Sequence, residues 1–148
     1  DGDSPVINGS ISSNLQSTTS EGNIDGSNIR QITDTLGYDG GAFFSSDGSK
    51  IVWRASRPKT PVEVQEYRSL LKEHLVKPMQ GEVFVANADG SEVMQLTDNG
   101  AANFAPYFFP DGKHIIFSSR FFSIGKNTCV FAITASKSGA RPSCKSRL

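Results

Sequence analysis

DGSEVMQLTDNGAANFAPYFFPDGKHIIFSSR, residues 89–120, and DGSNIRQITDTLGYDGGAFFSSDGSKIVWRAS, residues 25–56, align without a gap at an offset of 64 residues. Asp25-Gly26-Ser27 falls on Asp89-Gly90-Ser91, and Gln31, Thr33 and Asp34 fall on Gln95, Thr97 and Asp98. Further along, Asp47-Gly48 meets Asp111-Gly112, and Ile51-Val52-Trp53 meets Ile115-Ile116-Phe117. Such an echo marks a structural unit that cannot bury its apolar face alone and stacks on a copy of itself.

Each copy reads as short strands joined by tight turns. Asp-Gly pairs tolerate the left-handed backbone that a hairpin needs. In the second copy Glu82 to Asn87, EVFVAN, forms a clear hairpin with Val93 to Thr97. In the first copy the partner strand of Ile29 to Thr33 is expected to be missing, because Glu21-Gly22-Asn23-Ile24 leaves no room for it. Short strands follow at Ala42 to Ser45 and Ala105 to Phe109, then at Lys50 to Ser56 and His114 to Ser119. The triplets Ile51-Val52-Trp53 and Ile115-Ile116-Phe117 are continuous, which implies sheets covered on both faces. Trp53 and the rings at 43, 44, 107, 108, 109 and 117 are expected to pack sheet against sheet.

The 64-residue spacing exceeds the roughly 40–45 residues that a repeat of four short strands needs, and the excess lies at Arg57 to Gln80. Thr60-Pro61-Val62-Glu63 is a helix start with an N-cap, a proline at the first turn and a capping box. Val64, Tyr67, Leu71 and Leu75 recur at helical spacing, and Pro78 is expected to stop the helix. The helical insertion is therefore placed at 58–78. Its stripe either lies on the sheets or, through Tyr67 and Leu71, meets a partner.

Residues 1–24 are rich in Ser, Thr, Asn and Gly and are expected to form a flexible tail. Asn8-Gly9-Ser10 fits a glycosylation acceptor, which matters only in a secretory route. Thr128 to Thr134 is a credible strand, and residues 136–148 are expected to be a loose basic tail. All 15 acids precede residue 112, whereas Lys113, Arg120, Lys126, Lys137, Arg141, Lys145 and Arg147 follow it, leaving a formal net charge of zero. That basic end shows no helix period and no aromatic ladder, so it reads as solvated and argues against nucleic acid.

A chain of 148 residues with 36 % hydrophobic residues can bury a real core. No apolar run approaches the ~20 residues of a membrane helix. The sequence starts at Asp1 without a basic-then-apolar leader, and is read as a mature product, a shortened one or an excerpt of a longer protein. Cys129 and Cys144 sit at no metal or redox spacing, and either a disulfide or two thiols fits them. His74 and His114 lack a second ligand at metal spacing, no Gly-x-Ser-x-Gly elbow occurs, and no phosphate loop or cofactor motif is legible. No metal, cofactor or catalysis is therefore expected.

The pieces Val/Ile-x-Gln-Ile/Leu-Thr-Asp and Asp-Gly-Ser/Lys-x-Ile-Val/Ile-Trp/Phe resemble the repeat of the TolB-type β-propellers, a WD40-like group also called PD40. Pro110 to Arg120 and Ala86 to Ser91 carry the resemblance most closely, and it covers residues 25–120. It implies a mainly β fold: two adjacent antiparallel propeller-type blades within 25–135, an incomplete propeller with one helical insertion. Rings typically need four to eight blades, so exposed blade faces here favour self-association. By resemblance, the inner strands begin near Asp39, Gly40 and Gly41 and near Asn103 and Phe104, which would line a channel mouth. The resemblance further implies a non-catalytic protein-binding module in a periplasmic or extracellular setting. The alternatives are the propeller portion of a hydrolase and a truncated product without independent function.

Overall fold

The computed structural model describes residues 6–12, 16–77, 80–120 and 129–135, with side chains at 19–77, 80–120 and 133–135. The expected basic tail at 136–148, the loop at Phe121 to Gly125 and the side chains of Cys129 and Cys144 lie outside the described residues. The elements are β1 (Val6–Ser12), β2 (Gln16–Gly22), β3 (Arg30–Gln31), β4 (Tyr38–Phe44), β5 (Lys50–Ser56), α1 (Pro61–Lys72), β6 (Glu82–Asn87), β7 (Met94–Gln95), β8 (Asn103–Phe108), β9 (His114–Ser119) and β10 (Cys129–Thr134). They form three sheets of order β1-β2-β3, β4-β5-β6-β7 and β10-β9-β8.

The echo in sequence is an echo in backbone angle. Gly26 and Gly90 have φ of 81° and 83°, and Asn28 and Glu92 have 54° and 53°. Gly48 and Gly112 follow at 69° and 63°, and Gly41 and Ala105 at 63° and 48°. Matching Asx turns close the hairpins: Asp25 accepts the Ser27 N–H at 2.8 Å and Asp89 the Ser91 N–H at 2.9 Å. A short polar side chain that mimics a backbone turn explains this use of Asp-Gly-Ser.

The chain divides into two compact units, Asp1–Gly40 with Ala55–Met79 and Gly41–Arg54 with Gln80–Leu148. In the first unit the expected tail is corrected. Gln16–Gly22 is a strand, paired with Val6–Ser12 on one side and Arg30–Gln31 on the other. It supplies the partner that the first copy is expected to lack. Its sequence QSTTSEG has no apolar alternation, so periodicity hides it. It is tied instead by polar groups: the Thr19 N–H donates to Thr33 Oγ1 at 2.8 Å, and Thr19 O accepts the Ile32 N–H at 2.8 Å. Arg30 and Glu21 form an ion pair across β2 and β3.

Helix α1 begins as its sequence requires. The Glu63 N–H donates to Thr60 Oγ1 at 3.2 Å, and Glu63 Oε2 accepts the Thr60 N–H at 3.0 Å. It ends six residues before Pro78, because His74 adopts φ 57°. The Leu75 N–H then reaches Leu70 O at 2.9 Å and the His74 N–H reaches Leu71 O at 3.0 Å. These paired bonds satisfy the last carbonyls in the manner of a Schellman stop. Leu75 therefore leaves the helical stripe and is 56 % exposed.

In the second unit the main core joins two sheets. Val52, Val83 and Val85 from β5 and β6 pack with Phe108, Ile115, Phe117 and Ile133 from β8, β9 and β10. On the opposite face of β5, Trp53 stacks on Phe84 with centroids 5.8 Å apart. Ile51, Val52 and Trp53 are all buried, as the continuous triplet predicts. In the matched triplet Ile115 and Phe117 are buried, but Ile116 is only half-buried.

Replacing Trp53 with Ala is expected to destabilise the protein by about 3–5 kcal/mol, the range for a buried large aromatic. Chemical denaturation checks this, and an unchanged midpoint would contradict the burial.

Candidate functional site

Positions 39 and 103 are equivalent in the repeat, and each is a fully buried polar residue at the start of an inner strand. A buried polar group needs partners, and the two copies supply different ones. Asp39 Oδ1 accepts from Arg57 Nη2 at 2.5 Å. The same guanidinium caps two strand carbonyls, Tyr38 O at 3.3 Å and Ser56 O at 3.2 Å. The adjoining loop is pinned by α1, whose Tyr67 hydroxyl donates to Gly37 O at 2.5 Å. Gly37 has φ 139°, and a Cβ there would meet Ser56 O at 2.1 Å, so only glycine fits.

Asn103 joins a different arrangement, in which the buried residue is a carboxamide and the carboxylate is Glu82. Its Nδ2 shares contacts with Gly81 O at 2.7 Å, Asn99 Oδ1 at 3.0 Å and Glu82 Oε2 at 3.2 Å. Glu82 Oε2 also accepts from the Thr97 hydroxyl at 2.5 Å. Its other oxygen accepts two backbone N–H groups, Gly100 at 2.9 Å and Asn99 at 3.2 Å. The loop leading into β8 is thus fixed by one carboxylate and two carboxamides.

The expected channel-mouth residues are therefore not presented to a partner as a set. Asp39 and Asn103 are internal, and Asp39, Gly40, Gly41, Asn103 and Phe104 lie inside β4 and β8 rather than ahead of them. Tyr67 and Leu71 are the buried residues of α1. Of the expected residues, Phe104 is a large side chain at the surface, 38 % exposed, with the Arg54 guanidinium 4.7 Å from its ring centroid.

Two further rings of the inner strands are exposed. The register of β8 against β9 shifts between Phe104 and Tyr107, where Ala105 takes its left-handed angle. This bulge re-aims the strand. Phe43 and Tyr107 then meet edge to face across the two inner strands, with centroids 5.0 Å apart. They are 42 % and 53 % exposed, while their neighbour Phe108 is buried in the core. The expectation that all these rings pack sheet on sheet thus holds for Phe108 and Phe117 and fails for Phe43, Tyr107 and Phe109. The missed signal is a doublet: Phe43-Phe44 and Tyr107-Phe108 sit on a strand, where consecutive side chains take opposite faces.

At the β4–β5 and β8–β9 turns two carboxylates are strongly acidic. The Ser45 hydroxyl, with the Ser49 N–H and hydroxyl, lowers Asp47 to about 2. The His114 ring, with the Lys113 and His114 N–H groups, lowers Asp111 to about 2. Among the described residues no cluster of three His, Cys, Asp or Glu could hold a metal, and no helix is long and apolar enough to cross a membrane.

No protein-family model matches the chain, and no curated protein matches it. Solved structures do share its fold. A protein from Agrobacterium tumefaciens described as a TolB superposes with a TM-score of 0.63 at 18 % identity, over 88 % of this chain and 42 % of that one. A TolB from Acinetobacter baumannii superposes with a TM-score of 0.62 at 15 % identity, over 93 % of this chain and 31 % of that one. The chain has the fold of part of a TolB-type β-propeller: open antiparallel sheets with one helix inserted, and no closed barrel among the described residues. It spans less than half the length of either solved protein.

Carboxylates whose folded pKa is depressed contribute stability above their unfolded value near ~3.9, and that contribution is lost as pH falls through the folded value. Stability from the Asp47 and Asp111 turns is therefore present above about pH 4 and lost as pH falls toward 2. Carboxyl chemical shifts followed by NMR are expected to titrate near 2 at both positions, and ordinary values would remove this role.

Proposed function

We propose that the chain is a non-catalytic, protein-binding module of propeller type, a portion of a TolB-like protein, working in a periplasmic or extracellular setting. One observation carries this reading: the exposed rings Phe43, Phe104 and Tyr107 on two inner strands, Phe43 against Tyr107 and Phe104 beneath Arg54. Exposed rings beside a half-buried arginine on a strand are the chemistry of binding hot spots, since rings supply contact area at small entropic cost. The partner that fits is a protein segment carrying apolar side chains. The setting rests on the likeness in fold and repeat alone.

A displayed peptide library selected on the full chain is expected to yield binders. The double substitution Phe43→Ser, Tyr107→Ser is expected to weaken them at least about tenfold while the circular dichroism spectrum is kept. Equal binding by the double variant would sink the assignment of these rings.

A second reading, self-association through a sheet face, is favoured by Ile116. Its repeat mate Val52 is fully buried, whereas Ile116 is half-buried. Sedimentation of the protein is expected to show a concentration-dependent dimer that Ile116→Lys abolishes, and a monomer at all concentrations refutes it.

A further inference from the structure

The loop leading into β8 holds an Asn-Gly pair, Asn99-Gly100. Glycine lacks the Cβ that would hinder approach of its nitrogen to the preceding side chain. We propose that Asn99 is a guarded deamidation site, with Glu82 as the guard.

The reaction needs only water. The Gly100 nitrogen gives up its proton to solvent and attacks Asn99 Cγ. A new C–N bond closes a five-membered succinimide as the bond from Cγ to Nδ2 breaks and ammonia leaves. Water then opens the ring at either carbonyl, giving an aspartate or an isoaspartate at position 99.

Four contacts oppose the first step. The Gly100 N–H is held by Glu82 Oε1 at 2.9 Å, so losing its proton would set an amide anion against a carboxylate. The Asn99 N–H rests on the same oxygen at 3.2 Å, which fixes the backbone on both sides of the reacting bond. The Asn99 amide is held at both ends, its Oδ1 by the Ala101 N–H at 3.0 Å and its Nδ2 by Asn103 Oδ1 at 3.2 Å. Ring closure must break these contacts together, so it proceeds from the locally opened loop, at a rate set by how often the loop opens.

The product is not tolerated in the closed arrangement. A carboxylate at 99 faces Asn103 Oδ1 with no proton to donate, and it stands beside Glu82, a like charge. Deamidation therefore unfastens the loop that presents Phe104 and Tyr107, and it is not reversed by reclosing.

The test is peptide-resolved mass spectrometry of the full-length protein incubated at neutral pH, following the gain of about 1 Da at Asn99 separately from Asn8-Gly9. The folded protein is expected to react at least about tenfold more slowly than the same protein in denaturant, as protection by a closed state requires. Glu82→Gln, which removes the charge and keeps the shape, and Glu82→Ala are both expected to react faster than the parent. Equal rates in folded and denatured protein overturn the proposal. So does an unchanged or slower rate in Glu82→Gln, which would make Glu82 a bystander or a base. Asn99→Asp is expected to lower the unfolding midpoint, and an unchanged midpoint overturns the claim that the product unfastens the loop.

Discussion

A strand of two residues cannot satisfy the edge it covers, and that constraint shapes both hairpins of the repeat. β3 and β7 are each two residues long, and each lies against a seven- or six-residue neighbour. Buried backbone groups beyond those two residues still need partners. The protein supplies them with a threonine. The Thr97 hydroxyl accepts the Val83 N–H at 2.9 Å, as the Thr33 hydroxyl accepts the Thr19 N–H at 2.8 Å. The residue before each threonine donates its own N–H back, Leu96 to Val83 O and Ile32 to Thr19 O, both at 2.8 Å. The glutamine two places earlier donates to the threonine carbonyl, Gln95 to Thr97 O at 2.6 Å and Gln31 to Thr33 O at 2.7 Å. The spelling Gln-x-Thr is thus a short strand completed by side chains, which is why it recurs where the fold recurs.

That clasp also explains which parts of the fold are legible in the sequence. Apolar triplets, Asp-Gly turns and the capping box at Thr60 each act locally, and each predicts its element. β2 is hidden because its hold on the sheet is polar and long-range, through Thr19 and Thr33. Its trace in sequence is Asn23, which matches Asn87, since both donate through Nδ2 to a serine hydroxyl four residues on, Ser27 and Ser91. The end of α1 is hard to place because proline is the louder signal, although the left-handed angle at His74 has already closed the last carbonyls. The candidate site is legible in position and not in exposure. Asp39 and Asn103 do stand where the inner strands begin, but sequence spacing says nothing about which side chain a bulge turns outward.

The two copies answer the same demand with different chemistry. At position 39 the buried group is a carboxylate, and removing its arginine would leave an uncompensated charge inside. At position 103 the buried group is a carboxamide, and the charge has moved to Glu82, whose oxygens are occupied by loop N–H groups and the Thr97 hydroxyl. The first arrangement leans on an ion pair and on the α1 hydroxyl of Tyr67. The second leans on Asn99, an amide with an intrinsic chemical lifetime.

The exposed rings follow from what these anchors leave over. With the start of each inner strand fixed by a buried polar residue, the strand must then change register to keep Phe108 in the core. In β8 the change is made at Ala105, a residue that adopts a left-handed angle at a cost glycine avoids at the matched position 41. Strain of this kind persists only where surrounding structure determines it. What the bulge achieves is orientation: it keeps Phe108 inward while Phe104 and Tyr107 both face out, the one beneath Arg54 and the other against Phe43.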